Sequence, residues 1–346
     1  ANGLLIEEQR TNLLTYSSDF SATWNFNGAT RTANATTAPD GTTNAVLLTA
    51  LGNTGTARSS GTVVNATSAT YTVYVKRGNA DLPTNFRSFG LYNVTAAADL
   101  AYANVNYATG AVTLSGPQAA GATAISQTFP NGWFRIGVTI TTGITSGDSV
   151  NAYLGALGAL NVAGDTFYCW GAQLEAGSFA TSYIPTVASQ VTRAADNASM
   201  LGDNFATWYN QTQGTFSLGY AVLTTENQDL FMANAGAPLT ASNGIYANSP
   251  TVTGWVRDGG VTQCTVSGNA NMATTNKVAF AYALNDFALS SNGGTVATDT
   301  SGTIPTVNRL NFGANNIASN RQGSWIRSFA YYPVRLPATT LQSITA

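Results

Sequence analysis

Carboxylates, hydroxyls and aromatic rings are the side chains with chemistry to offer here, because the 346-residue chain contains no His. That absence removes Ser-His and Cys-His nucleophile pairs and His-ligated zinc. In "CWGAQLEAGSFATSYIPT" (169–186), Glu175 ends an alternating run. A glycosidase acid needs a second carboxylate about 5–10 Å away, and none lies inside the stretch. The nearest in sequence, Asp165, precedes the strand. "TTENQDL" holds Glu226 and Asp229, three residues apart and so on opposite faces of a strand. "SGDSV" offers Gly147-Asp148-Ser149, a nucleophile-like turn with no imidazole to activate the hydroxyl. Glu175 therefore reads as a hydrogen-bonded turn residue at the end of a closing strand. Ser149 reads as part of a turn, and the chain as a non-enzyme.

Glycan binding asks for different residues. An aromatic ring stacks on the apolar face of a pyranose, while amides and a cation hold its hydroxyls. In "VTGWVRDGG" (252–260), alternation sends Val252, Gly254 and Val256 inward and leaves Thr253, Trp255 and Arg257 outward. "GIYANS" adds Tyr246 and Asn248 on a single face of the neighbouring strand, one short Pro-containing turn away. Trp255, Arg257, Tyr246 and Asn248 are thus the candidate glycan-binding residues. The competing reading places Trp255 and Tyr246 in the interior or at a subunit contact. Tyr74, Lys76 and Tyr92 are weaker equivalents in the first half. Asp19, Asp40, Asp148 and Asp165 offer loop oxygens for a structural calcium, but no ligand spacing singles out a site. Ordinary turn aspartates are the favoured reading, so no cofactor is assigned.

The elements that must carry these residues are strands. "WFRIGVTIT" places Phe134, Ile136, Val138 and Ile140 opposite Arg135, Thr139 and Thr141. "YTVYVKRG" sets Tyr71, Val73 and Val75 against Thr72, Tyr74 and Lys76. "GTFSLGYAV" sends Phe216, Leu218, Tyr220 and Val222 inward. "SWIRSFAYY" alternates Trp325, Arg327, Phe329 and Tyr331 with Ile326, Ser328 and Ala330. In the opening stretch, Tyr168, Trp170, Ala172 and Leu174 share one face. Turn clusters such as Asn131-Gly132, Asp258-Gly259-Gly260 and Asn292-Gly293-Gly294 separate the runs. Helices are few; "LPATTLQSIT" begins one near Pro337.

Only 9% of residues are charged, against 44% hydrophobic, so Thr, Asn, Ser and Gly must keep the surface wet. This composition suits an all-β chain of two tandem antiparallel β-sandwich domains. The segment "TVASQVTRAADNAS" is polar, small and without strand pattern, and marks a seam. The predicted organisation is a lead-in at 1–9, a first domain at 10–187, a linker at 188–194 and a second domain at 195–346. Cys169 and Cys264 fall in different domains and read as buried free thiols. The net charge of −2 has no basic block behind it, which excludes nucleic-acid binding by counterion release. No apolar run approaches the length needed for membrane insertion.

A set of phrases occurs in a recognisable order. "TNLLTYSSDFSATW" (11–24), "APDGTTNAVLLTA" (38–50), "YTVYVKRG" (71–78), "NYATGAV" (106–112), "NGWFRIGVTI" (131–140) and "WGAQLEAGSFATSYIPT" (170–186) come first. Together they resemble the carbohydrate-binding-module-like jelly roll found in tail and fibre proteins of tailed bacteriophages. "TRAADNASM" (192–200), "WYNQTQGTFSLGYAV" (208–222), "LNFGANN" (310–316) and "WIRSFAYYPVRLPATTLQSIT" (325–345) come next. They resemble the concanavalin/laminin-G-like domain that often comes second in those proteins, and the lead-in "GLLIEEQRTNLL" (3–14) resembles the segment before the first. The resemblance implies a virion-surface protein, a tail fibre, head fibre or head spike, that binds a bacterial surface polysaccharide and contacts other virion proteins. It implies a homo-oligomer, a trimer as phage fibres usually are. It carries over no binding or catalytic residue. Glucanases of concanavalin-like fold carry Glu-x-Asp-x-Glu on one strand, and "TTENQDL" is the nearest stretch here. The alternatives are a structural or decorating virion protein without a ligand, and a glycan depolymerase.

Overall fold

The computed structural model describes residues 3–52, 56–79, 89–155, 163–222, 228–236, 240–248, 250–271, 274–313 and 324–346. The described residues form antiparallel sheets, with α-helix only at Asp203–Ala206 and Ala338–Thr345. This is the predicted all-β class. The chain divides into two compact units, residues 10–193 and residues 1–9 with 194–346.

The division differs from the predicted segments at both seams. Leu4–Ile6, in the supposed lead-in, pairs with Ser324–Tyr332 at the edge of a six-stranded sheet, and Ile6 enters that unit's core. Within the supposed linker, Val191–Arg193 pairs with Arg10–Asn12 and ties the two ends of the N-terminal unit together. These are three-residue strands. Strands so short carry no readable period when their partners lie at the far end of the unit.

The N-terminal unit is a sandwich of two sheets. One runs Ala122–Phe129, Trp133–Ile140, Ala69–Arg77, Thr166–Ala176, Ala45–Ala50, Ala29–Thr36, and is called the Trp133 sheet. The other, the Tyr92 sheet, runs Val112–Ser115, Ala98–Val105, Phe89–Asn93, Asp148–Leu154, Thr56–Ser59, Trp24–Asn27, with Thr62–Val64 also on Asp148–Leu154. Their facing sides bury Tyr71, Val73, Ile136, Cys169 and Leu174 against Phe89, Leu91, Val150 and Ala152. In the C-terminal unit, the Tyr282 sheet runs Leu4–Ile6, Ser324–Tyr332, Gln213–Val222, Asn276–Ala283, Asp286–Ser291, Ala297–Asp299. The Trp255 sheet opposite runs Ala198–Leu201, Arg309–Phe312, Gln228–Asn234, Ser242–Asn248, Thr251–Asp258, Val261–Asn269.

Bulges correct the predicted faces at two strands. In Thr166–Ala176, Trp170 pairs with Tyr74, but Gln173 is the next to pair, with Thr72. Gly171, at φ +63°, takes up the extra residue, and a bulge reverses the parity of everything beyond it. Ala172 and Leu174 therefore face the core with Cys169, while Trp170 points away and joins Tyr74 and Trp133 in a separate outer cluster. Likewise Gly219 pairs with Ser328 and Tyr220 with Ile326, skipping Arg327. Ile326 and Phe329, predicted on opposite faces, both pack on the core.

One outer face in each unit is capped. Over the Trp133 sheet, Tyr183 packs 4.6 Å from the Trp170 ring, and the Ile184 N–H donates to Gln173 at 2.6 Å. Over the Tyr282 sheet lies helix Ala338–Thr345, which starts after Pro337 as predicted and buries Leu341 on Ala279, Ala281 and Ala288.

Cys169 and Cys264 are both free and buried, one in each unit. Burial raises both thiols, that of Cys264 to about 12, with Asp299 adding to the effect. The native protein should therefore leave an aromatic disulfide reagent unreacted at pH 8 and release two thiols on denaturation. A disulfide-linked peptide pair in the digest would contradict this.

Candidate functional site

Glu175 and Asp148, singled out by sequence, are engaged in holding turns. Glu175 is wholly buried; it accepts the Thr181 N–H at 3.0 Å and the Thr181 hydroxyl. Thr181 returns its carbonyl to Arg135 at 2.6 Å, and the Arg135 guanidinium stands 5.5 Å over the Tyr74 ring. Glu226 lies outside the described residues, and Asp229 is buried within Gln228–Asn234. Among the described residues no base reaches Ser149, and its N–H donates to the Thr95 hydroxyl at 2.9 Å. Asp148 beside it accepts from Asn93 and from the Thr145 N–H, both at 2.8 Å.

Two other loop aspartates use their carboxylates in the same way, and Asp165 contributes its backbone carbonyl. Asp19 accepts the N–H and hydroxyl of Ser21, and Asp40 those of Thr42. The Asp165 carbonyl accepts the Ala50 N–H at 2.8 Å. Among the described residues no three Asp, Glu or Cys side chains gather as a cation site.

The Trp255 face is assembled by register. Val252 and Val256 are fully buried in the core, and a Cβ on Gly254 would sit 2.6 Å from the Phe280 ring. Trp255 and Arg257 take the opposite side of the strand. Trp255 pairs with Gly244 and Arg257 with Ser242, while Tyr246 lies opposite Thr253 and Asn248 opposite Thr251. All four candidate positions therefore fall on one side of two adjacent strands. The side chains of Tyr246 and Asn248 lie outside the described residues. The Arg257 Nε–H donates to the Gly260 carbonyl at 2.9 Å, which steadies the guanidinium over the Asp258-Gly259-Gly260 turn. Trp255 is half-buried rather than exposed. Gly244 is the reason, since a Cβ there would stand 3.2 Å from the indole nitrogen, and its absence lets the ring settle onto the sheet. Thr253, also predicted outward, is buried and shares a 2.9 Å hydrogen bond with Ser267.

Of the weaker equivalents, Tyr74 is not a surface residue. It is buried among Trp133, Trp170 and Tyr183 under the cap, and burial raises its hydroxyl above the usual phenol range. Tyr92 does sit on an outer face, with company that sequence reasoning missed. Tyr153 stands 6.4 Å from it edge to face, and Tyr102 stands 6.5 Å from Tyr153. The Tyr102 hydroxyl, pushed up by burial and by its hydrogen bond, donates to the Asp99 carboxylate. The available signal was alternation: Asn151 and Tyr153 flank Ala152 as Tyr92 flanks Leu91. Which strands become neighbours is set by pairing, which no single run displays.

No protein-family model matches the chain, and no curated protein does. Among solved structures it is similar to Ruminococcus gnavus IT-sialidase CBM40 bound to α2,3 sialyllactose (20% identity, TM-score 0.36, 41% of this chain and 88% of that one). It is also similar to the native heptameric SAP-like pentraxin of Limulus polyphemus (11% identity, TM-score 0.32, 39% and 70%). A third is the leech intramolecular trans-sialidase complexed with 2,7-anhydro-Neu5Ac (21% identity, TM-score 0.34, 39% and 23%). Likeness of this degree carries no argument about ligand or site; the residues themselves must supply it.

Glu175 makes a direct test of structure against chemistry. Glu175→Ala leaves the Thr181 N–H buried without an acceptor and should cost about 1–3 kcal/mol in urea denaturation. A variant as stable as the parent would show that the exit segment is not held by this carboxylate.

Proposed function

We propose that this protein is a non-catalytic glycan-binding protein, carried on the surface of a phage or phage-derived particle, where it recognises a bacterial surface polysaccharide. The observation that carries glycan recognition is the register that puts Trp255 and Arg257, two residues apart, on the face of Thr251–Asp258 turned from the core. A half-buried ring offers a fixed π-face for sugar C–H groups without losing much side-chain freedom on binding. The Arg257 Nε–H is held by Gly260, and its terminal nitrogens have no partner among the described residues. They point to hydroxyl or carboxylate recognition. The virion setting is supported by the ordered phrases that resemble those of phage fibre domains. The non-catalytic reading is supported by the structural engagement of Glu175, Asp148 and Ser149.

Trp255→Ala separates a binding ring from a structural one. The variant should lose at least tenfold in binding to encapsulated cells and about 1–2 kcal/mol in stability, below the 3–5 kcal/mol of a fully buried aromatic. Unchanged cell binding would remove this face from glycan recognition. A loss of stability in the full core range would make Trp255 a packing residue.

A single shallow sugar site binds weakly, and several copies raise avidity without new contacts. A homotrimer is the assembly proposed. Light scattering should give about three times the 35.8 kDa chain mass; a monomer at working concentration would contradict it.

A further inference from the structure

The outer face of the Tyr92 sheet carries a cleft of about 320 Å³. Register builds it: Arg58 lies between Asn25 and Tyr153 on adjoining strands, and Asn151 lies beside Tyr92. Ser60 and Gly61 also line it. Its volume is at the low end of ligand sites, about 300 Å³, which suits one sugar unit better than a long chain.

Two groups in the cleft lack partners among the described residues. Arg58 is exposed, is the only charged lining residue among the described ones, and makes no hydrogen bond or ion pair with any of them. Asn151 is 7% exposed, and its Oδ1 is buried with no donor. A buried acceptor left unpaired is costly and uncommon. The pair therefore asks for a ligand that brings an anion to Arg58 and a hydroxyl donor to Asn151 at once. A simple carboxylate meets the first need and turns an acceptor oxygen toward Asn151. A neutral sugar meets the second and leaves Arg58 idle. A uronic acid meets both, with the half-buried Tyr92 ring as a wall for its C–H face.

We propose that this cleft is a second glycan site, separate from the Trp255 face, which takes an acidic monosaccharide unit of a polysaccharide. Arg58 binds the uronate carboxylate, and the Asn151 amide turns into the cleft so that its Oδ1 accepts a ring hydroxyl. The chain then holds two sugar sites, one in each sandwich, and recognition of an acidic polysaccharide is bivalent within a single polypeptide.

The test uses the full chain and a panel of methyl uronosides (gluco, galacto and manno) beside the matching neutral methyl glycosides, read by saturation-transfer NMR and titration. At least one uronoside should bind ten times or more tighter than its neutral counterpart, and more weakly in 0.5 M than in 0.05 M salt, as screening requires. Arg58→Ala, at an exposed position, should keep the parent melting temperature and lose at least tenfold in that affinity. Asn151→Asp, which sets a like charge in the cleft, should lose as much. Trp255→Ala should keep the Arg58-dependent part of uronoside binding, so the two sites fail or stand separately. Absence of binding by every uronoside, equal binding of neutral sugars, or an unaffected Arg58→Ala variant would each overturn the proposal. Loss of uronoside binding in Trp255→Ala would assign it to the other face, and overturn it too.

Discussion

The buried Glu175 carboxylate decides which face of the N-terminal sandwich is capped. It holds the N–H and hydroxyl of Thr181, and Thr181 in turn gives its carbonyl to Arg135 and to Gln173. Asn12 joins the same network from the first strand of the unit, donating to the Ala172 and Ile184 carbonyls. The exit segment is therefore laid over Tyr74, Trp133 and Trp170, and one outer face of the sandwich becomes interior. With only 9% of residues charged, a sheet face cannot rely on Lys and Glu to keep it wet. It must be covered, or be paved with hydroxyls, amides and amphipathic rings. The C-terminal unit meets the same constraint with helix Ala338–Thr345 over Ala279, Ala281 and Ala288.

The face opposite each cap is where the unusual residues collect. On the Tyr92 sheet these are Asn25, Arg58, Tyr92, Asn151 and Tyr153. On the Trp255 sheet they are Trp255 and Arg257. Both sets combine a half-buried ring with a guanidinium and few acids, the chemistry that a hydroxyl-rich and partly anionic surface demands. Antiparallel strands hold the groups, which would keep the entropy lost in the proposed binding small.

Much of this was legible in the sequence, and its limits have physical causes. Alternation identified the strands and the inward set of Val252, Gly254 and Val256, since a half-buried sheet writes its period directly into the chain. It failed at Gly171 and Arg327, where one extra residue reverses parity. It failed for Tyr74, whose outward face is covered by a segment more than a hundred residues away. It overstated the exposure of Trp255, because the small residue that admits the ring, Gly244, lies on the neighbouring strand. The cleft at Arg58 was invisible for the same reason. Asn25, Arg58, Tyr92 and Asn151 come from four separate strands, and only pairing makes them one surface.

If the caps divide each sandwich into a closed side and a binding side, ligand contacts fall on the uncapped faces and nowhere on the capped ones. Hydroxyl-radical footprinting of the full chain, with and without a uronate-containing bacterial capsular polysaccharide, reads both sides at once. Oxidation of Trp255 and Tyr92 should fall when the polysaccharide is present, while that of Tyr183 and Leu341, in the caps, stays the same. Protection at the caps, or no protection at Trp255 and Tyr92, would contradict this division.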